Sequence, residues 1–233
     1  MTALQSLNQT NKMLAQTQAA IATGFKVANA SDNAAYWSIA TTMRSDNKAL
    51  STVQDALGLG SAKVDIAANG LESSIDVVSE IKAKLVAARE PGVDKTKIQT
   101  EIAELKNQLT SISESSSFNG VNWLQNDAAT AAADEQVVAS FSRAADGSVT
   151  VSTINIVVSD ATLVGTDNEN TGLLTQTVDI AGTAVNYRLI DMGAGVTTAA
   201  TGTIIELTAT TSSAVIDQMI QATDDILTAM TAA

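Results

Sequence analysis

The sequence predicts an α+β protein, an elongated antiparallel rod of long helices that carries one small inserted β domain. Three observations lead there. Apolar residues recur every seven positions at Met43, Leu50, Leu57, Val64, Leu71, Val78 and Leu85. After a Pro91-Gly92 break, Ile98, Ile102, Leu105, Leu109 and Ile112 repeat in steps of four and three. From about Gln136 the rhythm changes to β-branched residues at period two, most clearly along Val149-Thr150-Val151-Ser152-Thr153-Ile154-Asn155-Ile156.

The first element is an amphipathic helix with Leu7, Leu14 and Ile21 seven apart and Leu4, Asn11 and Gln18 between them. Thr23-Gly24 ends it, since Gly enters the left-handed region that closes a helix. The stretch Asn29-Ala30-Ser31-Asp32 offers side-chain oxygens for capping the next one.

The second helix carries the strongest signal, with Ile39, Val53, Ala67 and Ile81 partly filling a second seam. A sustained repeat of seven keeps one stripe facing a partner helix and favours coiled-coil packing. From Ile39 to Ala88 such a helix would run roughly 75 Å at about 1.5 Å per residue, which gives the rod its length. Gly58, Gly60 and Gly70 mark places of bending or close approach. Pro91-Gly92 stops the helix, Asp94 caps its successor, and the third helix folds back on the second.

Asp146-Gly147 is a favoured turn pair between Val137 to Phe141 and the strand that begins at Val149. Further strands are expected at Thr175 to Ile180, Val185 to Ile190 and Thr203 to Thr208. The block is Thr-rich, Gly-punctuated and acidic, which suits an exposed domain better than a buried sheet. After Ser212-Ser213, helical spacing returns at Ile216, Met219, Ile220, Ile226 and Met230. Three segments result: an amino-terminal helical rod over 1–124, a variable β-rich outer domain over 125–211, and a returning carboxy-terminal helix over 212–233.

Composition narrows function. The chain of 233 residues has no histidine and no cysteine, which removes the commonest general base, nucleophile and transition-metal ligands. No cofactor is expected. The formal charge of −12 argues against nucleic acid and anionic membranes, both of which reward Lys and Arg. Residues 121–233 contain only Arg143 and Arg188 against 13 acids, whereas 1–120 are nearly balanced. Asp224-Asp225 and Asp134-Glu135 are the tightest acid pairs. Adjacent helical residues diverge by about 100°, so Asp224-Asp225 is a poor catalytic pair. The chain is expected to be structural and not an enzyme.

Two strings then give a resemblance. Residues 19–40, AAIATGFKVANASDNAAYWSIA, with the Thr41-Thr42-Met43-Arg44 that follows, resemble the amino-terminal region of bacterial flagellins. Residues 98–124, IQTEIAELKNQLTSISESSSFNGVNWL, are similar to a second region of that family, where a helix enters a Phe-Asn-Gly turn. The spelling DNAAYWSIATTMRSDNKALS looks most like flagellins of soil alphaproteobacteria.

The resemblance implies a subunit of the flagellar filament, extracellular, exported without a cleaved signal peptide, and polymerising with other flagellin subunits for motility. It implies an export chaperone and a cap protein as further partners. It also implies terminal helices beyond Met1 and Ala233, so a chain with these ends is expected to stay monomeric. The related hook-filament junction protein is the alternative, and a surface adhesin or glycan-binding module a more distant one.

The heptad residues are expected to form the internal seam, which leaves association to other faces. Tyr36 and Trp37 are read as a packing anchor, with subunit contact as the alternative. Arg89, Glu101 and Glu104 are candidate subunit or receptor contacts. Residues 19–40 cover the stretch that plant immune receptors read in many flagellins. Asn33 stands there for a usual Asp, and Tyr36-Trp37 for a usual Gly-Leu. The family's animal receptor reads the end of the second helix and the third helix. Glu101 matches that motif, but residues 81–88, IKAKLVAA, lack its Arg-Glu-Leu run. Recognition by host receptors is therefore expected to be weak.

Overall fold

A computed structural model describes residues 2–180, 185–193 and 196–233. Four helices dominate: α1 (Thr2–Thr23), α2 (Ala34–Ala88), α3 (Lys95–Ser115) and α4 (Ser213–Ala232). Among the described residues, nine strands lie between α3 and α4: β1 (Ser117–Phe118), β2 (Val121–Asn122), β3 (Gln125–Asn126), β4 (Glu135–Arg143), β5 (Val149–Ile156), β6 (Val164–Gly165), β7 (Val178–Asp179), β8 (Asn186–Arg188) and β9 (Thr203–Ile204). The class is α+β, with long helices and small sheets.

The chain divides into two compact units, one of Met1–Asp55 with Ala139–Ser152, the other of Ala56–Val138 with Thr153–Ala233. The boundary falls inside α2. In the first unit, α1 ends at Gly24, which has φ of 70°. The cap of α2 is Asn33, whose Oδ1 accepts from Tyr36 N at 3.2 Å, one residue beyond the stretch expected to supply it. Asp32 instead closes the loop, its Oδ2 accepting from Ala28 N and Asn29 N.

The second unit holds the core. Val77, Val78, Ile81 and Leu85 of α2 join Ile102 and Leu109 of α3 and Ile216, Met219 and Ile226 of α4. Ion pairs give the helix directions: Lys84 meets Glu101, while Lys82 meets Asp224 and Arg89 meets Asp217. As the α2 number rises from 82 to 89, the α4 number falls, so these two run antiparallel. Asp94 caps α3 through Thr96 N and Lys97 N, and Ser212 caps α4 through Val215 N; each such cap is worth about 1 kcal/mol.

Gly60 and Gly70 mark close approaches: a methyl on Gly60 would overlap Val137, and one on Gly70 would stand 2.5 Å from Leu124 Cδ1. Gly58 has open space. Asn119 and Gly120 both have positive φ, 51° and 79°, and pair β1 with β2 through a tight hairpin turn.

The expected strands after Ile156 are shorter than predicted. β7 pairs antiparallel with β8, which pairs parallel with β9, and β3 pairs parallel with β6. The β4–β5 hairpin turns at the expected place, with Gly147 at φ of 87° and Ala144 N donating to Ser148 O. The rest of the block corrects the exposed-domain reading. Leu163, Leu174, Leu189, Ile205 and Leu207 are buried in the same core as the helices. Its irregular segments present single apolar side chains inward while Thr and Gly supply the visible composition.

One buried ionic group organises this part. Glu169 is fully buried and pairs with buried Arg188, which also reaches Asp191 at 3.1 Å. Glu169 accepts from Met192 N at 2.9 Å and Ala200 N at 2.7 Å. Both carboxylate oxygens are therefore satisfied, as a buried charge requires.

Candidate subunit-association surface

The seven-residue stripe of α2 has two fates. Val78 and Leu85 are buried, and Leu57 and Leu71 are half-buried. Met43, Leu50 and Val64 are exposed, which corrects the reading of one internal seam along the whole helix. Period fixes which face a residue occupies, and a face is buried only where another segment covers it. On α3, Ile98, Ile102 and Leu109 are buried while Leu105 and Ile112 pack half-buried against them.

In the first unit no α1 side chain is buried, and Leu4, Leu7, Leu14 and Ile21 stand in solvent. Sequence reading found this stripe as a helix signal without naming it as a surface. On α2, Tyr36, Ile39, Met43 and Leu50 are also exposed, and spacing by three, four and seven residues sets them on one face. Tyr36 is thus no packing anchor in this chain, whereas its neighbour Trp37 is half-buried. Arg44 of α2 lies 3.8 Å above the Phe25 ring, a cation–π contact to the loop that follows α1. Arg143 clasps Asp46 through Nε and Nη2, at 3.0 and 2.8 Å.

In the second unit a charged face is built from α2 and α3. Glu80, Lys84, Glu101, Glu104 and Gln108 line a shallow groove beside Leu105. Lys84 donates to Glu101 at 2.7 Å, and this hydrogen bond and the attraction of Glu101 raise the lysine pKa. Arg89 is occupied by Asp217 at 3.0 Å. Glu104 is exposed and belongs to no ion pair among the described residues.

Lys106 is the unusual cation. It is half-buried on α3 beside the β9 segment, where its Nζ donates to Ile205 O at 2.6 Å. Burial pushes its pKa down to about 8, against the pull of Glu206 and Asp191. No group of three or more carboxylates suited to a metal occurs among the described residues. No helix among the described residues is long and apolar enough to cross a membrane. What the arrangement offers is a covered core in one unit and bare helical faces in the other.

The family description "bacterial flagellin N-terminal helical region" matches residues 1–130. Flagellin C of Rhizobium meliloti is 51% identical over 238 residues, covering 99% of this chain and 73% of that protein. Flagellin B of the same species is 52% identical over 189 residues, covering 81% of this chain and 48% of that protein. The flagellin of Brucella melitensis biotype 1 is 42% identical over 190 residues, covering 80% and 66%. The chain thus spans about half the length of flagellin B and nearly three quarters of flagellin C.

Proposed function

We propose, because this chain belongs to the bacterial flagellin family, that it assembles into the flagellar filament through helix faces left uncovered within the single subunit. It is a structural protein of the extracellular filament and not an enzyme. One observation carries the assembly reading: the apolar stripes of α1 and of the first part of α2 are exposed, although helices of this kind gain most of their stability from a covered apolar face. Subunits related by a helical operation make the same contact repeatedly without closing, and a filament results.

The division of labour follows the three segments. Residues 1–124 and 212–233 supply the helical body, and 125–211 the variable part. Within the body, Val78, Leu85, Ile98, Ile102 and Leu109 hold the subunit together, and Tyr36, Met43, Leu50, Glu101 and Glu104 are available to neighbours. Copies of this chain and other flagellins are the partners. An export chaperone and a cap protein are further partners that family membership supports.

Weak recognition by host receptors belongs to the same reading. Asn33 caps α2, and Tyr36 projects beside it where a smaller residue is usual. Glu101 is tied to Lys84. A synthetic peptide of residues 19–40 is expected to give a weaker receptor-dependent oxidative burst than a stimulatory peptide, and an equal burst overturns this point. For the function itself, the full-length protein carrying this sequence is expressed in a bacterium deprived of its own flagellins. Electron microscopy is expected to show filaments; absence of both filaments and incorporation overturns the proposal. No observation favours the junction-protein or adhesin readings.

A further inference from the structure

Two Asn-Gly pairs occur in this chain, Asn69-Gly70 and Asn119-Gly120, and the fold holds their backbones in opposite states. Asn69 lies inside α2, where each backbone N–H donates to the carbonyl four residues earlier. Gly70 is buried, and Ser116 and Leu124 leave no room beside it. Asn119 and Gly120 form the two-residue tip between β1 and β2, with φ of 51° and 79°. Among the described residues nothing stands within 4 Å of where a Gly120 Cβ would lie, and no hydrogen bond holds Gly120 N or the Asn119 side chain. Both asparagines are exposed, so access to water does not separate them. Freedom of the amide that follows does.

We propose that Asn119 is a modification site, where water converts the side-chain amide to a carboxylate through a ring closed with Gly120. The site lies within the second unit and draws on no neighbouring copy. In the first step Gly120 N attacks Asn119 Cγ and gives up its proton. The Cγ–Nδ2 bond breaks, and the amide nitrogen leaves with that proton as ammonia. A five-membered succinimide remains. Water then adds to one of its two carbonyls, and the bond from that carbon to nitrogen breaks. Breakage at Cγ leaves aspartate; breakage at the main-chain carbon leaves isoaspartate, whose backbone runs through Cβ and Cγ. One amide and one water thus give one carboxylic acid and one ammonia, with no change of oxidation state. Gly120 has no Cβ to hinder the approach, and only the loop tip has to turn. The same rotation at Asn69 requires breaking α2 at its buried Gly70. Asp146-Gly147 is a poorer case, because Ser148 N and Oγ tie the Asp146 carboxylate at 2.9 and 2.7 Å and hydroxide leaves less readily than ammonia.

Isoaspartate adds a main-chain atom to a loop of two residues, and loop length selects the turn. The hairpin cannot absorb that atom by sliding. Asn122 Nδ2 donates to Ser113 O at 2.7 Å, and its Oδ1 accepts from Leu124 N at 2.9 Å. Phe118, Val121 and Trp123 line a small pocket with Lys63, Ile66 and Ala67 of α2. The distortion therefore falls on the pairs Ser117–Asn122 and Phe118–Val121.

The test ages purified full-length protein carrying this sequence in mildly alkaline buffer. Peptide mass spectrometry follows both sites, reading the gain of about 1 Da and separating isoaspartate from aspartate. Asn119 is expected to convert at least about tenfold faster than Asn69, the gap between opening a loop tip and opening a helix interior. In denaturant the two rates are expected to agree within about threefold, since both pairs then lie in open chain. Aged protein rich in isoaspartate is expected to exchange the amides of residues 117–124 faster than Asn119→Asp, which carries the charge on an unlengthened main chain. Conversion at Asn119 no faster than at Asn69, a gap that survives unfolding, or a product without isoaspartate overturns the inference. Equal exchange in aged protein and Asn119→Asp overturns its consequence for the hairpin.

Discussion

Helix α2 carries one apolar repeat through two environments. In the second unit Val78, Ile81 and Leu85 are fully covered, and the same face meets α3, α4 and the irregular segments around Leu174 and Leu189. In the first unit Ile39, Met43 and Leu50 continue the repeat into solvent. A seven-residue spacing therefore specifies that a stripe must be covered, without specifying by what. In the second unit the cover is intramolecular at Val78 and Leu85 while Val64 stays exposed; in the first unit Met43 and Leu50 have no cover within the described residues.

The contrast is broken or sharpened by substitution. The largest effect is expected in the second unit from Glu169→Ala, which leaves buried Arg188 with Asp191 as its charge partner and strips Met192 N and Ala200 N of their acceptor, at a cost of about 3–5 kcal/mol of unfolding free energy. Denaturant titration measures it, and a loss below about 1 kcal/mol would show the ionic group to be dispensable. Leu85→Ala is expected to cost about 2–5 kcal/mol by cavity formation. The matching change in the first unit, Leu14→Ala, is expected to stay within about 0.5 kcal/mol for the unassembled protein. Equal losses at the two positions would erase the distinction between the units.

Lys106 gives a pH signature confined to the second unit. Its folded pKa of about 8 lies below the ordinary 10.5, so the unfolded chain binds the extra proton between those values. Stability is therefore expected to rise with pH across that window and to be flat in this term below it. The difference between wild type and Lys106→Met, followed by denaturant midpoint from pH 7 to 10.5, isolates the contribution; parallel profiles would refute it. Two glycines of α2 are expected to give effects of opposite sign. Gly70→Ala should cost about 1–3 kcal/mol by overpacking against Leu124. Gly58→Ala should raise stability by up to about 1 kcal/mol, because open space there leaves only the helix propensity.

Much of the helical part was legible from residues alone. Gly24, Asp94 and Ser212 mark boundaries through local chemistry that needs no tertiary partner, and the Asp146-Gly147 turn announces the β4–β5 hairpin in the same way. The cap at Asn33 was missed by one position because several neighbouring side chains could serve. Strands β7, β8 and β9 fall within the expected segments, but the burial of the residues around them was not legible, for a deeper reason. Leu163, Leu174, Leu189, Ile205 and Leu207 enter the core singly from irregular backbone, so no period announces them among the Thr and Gly. The exposed stripe was legible as a pattern but not as a surface, since Met43 and Val78 look alike in sequence and differ only in what lies across from them.

Glu169 has one more consequence, for the way short strands find their place. β8 spans three residues and has neighbours on both sides, so its ladder alone discriminates poorly between adjacent alignments. A slip of one position turns each side chain to the opposite face of the sheet. Tyr187 would then stand where Arg188 now meets the carboxylate, and Glu169 would be left charged in the interior without its cation. The same carboxylate also holds the backbone at Met192 and Ala200. It acts as a proofreader of alignment, rejecting any arrangement in which the guanidinium arrives one residue early or late.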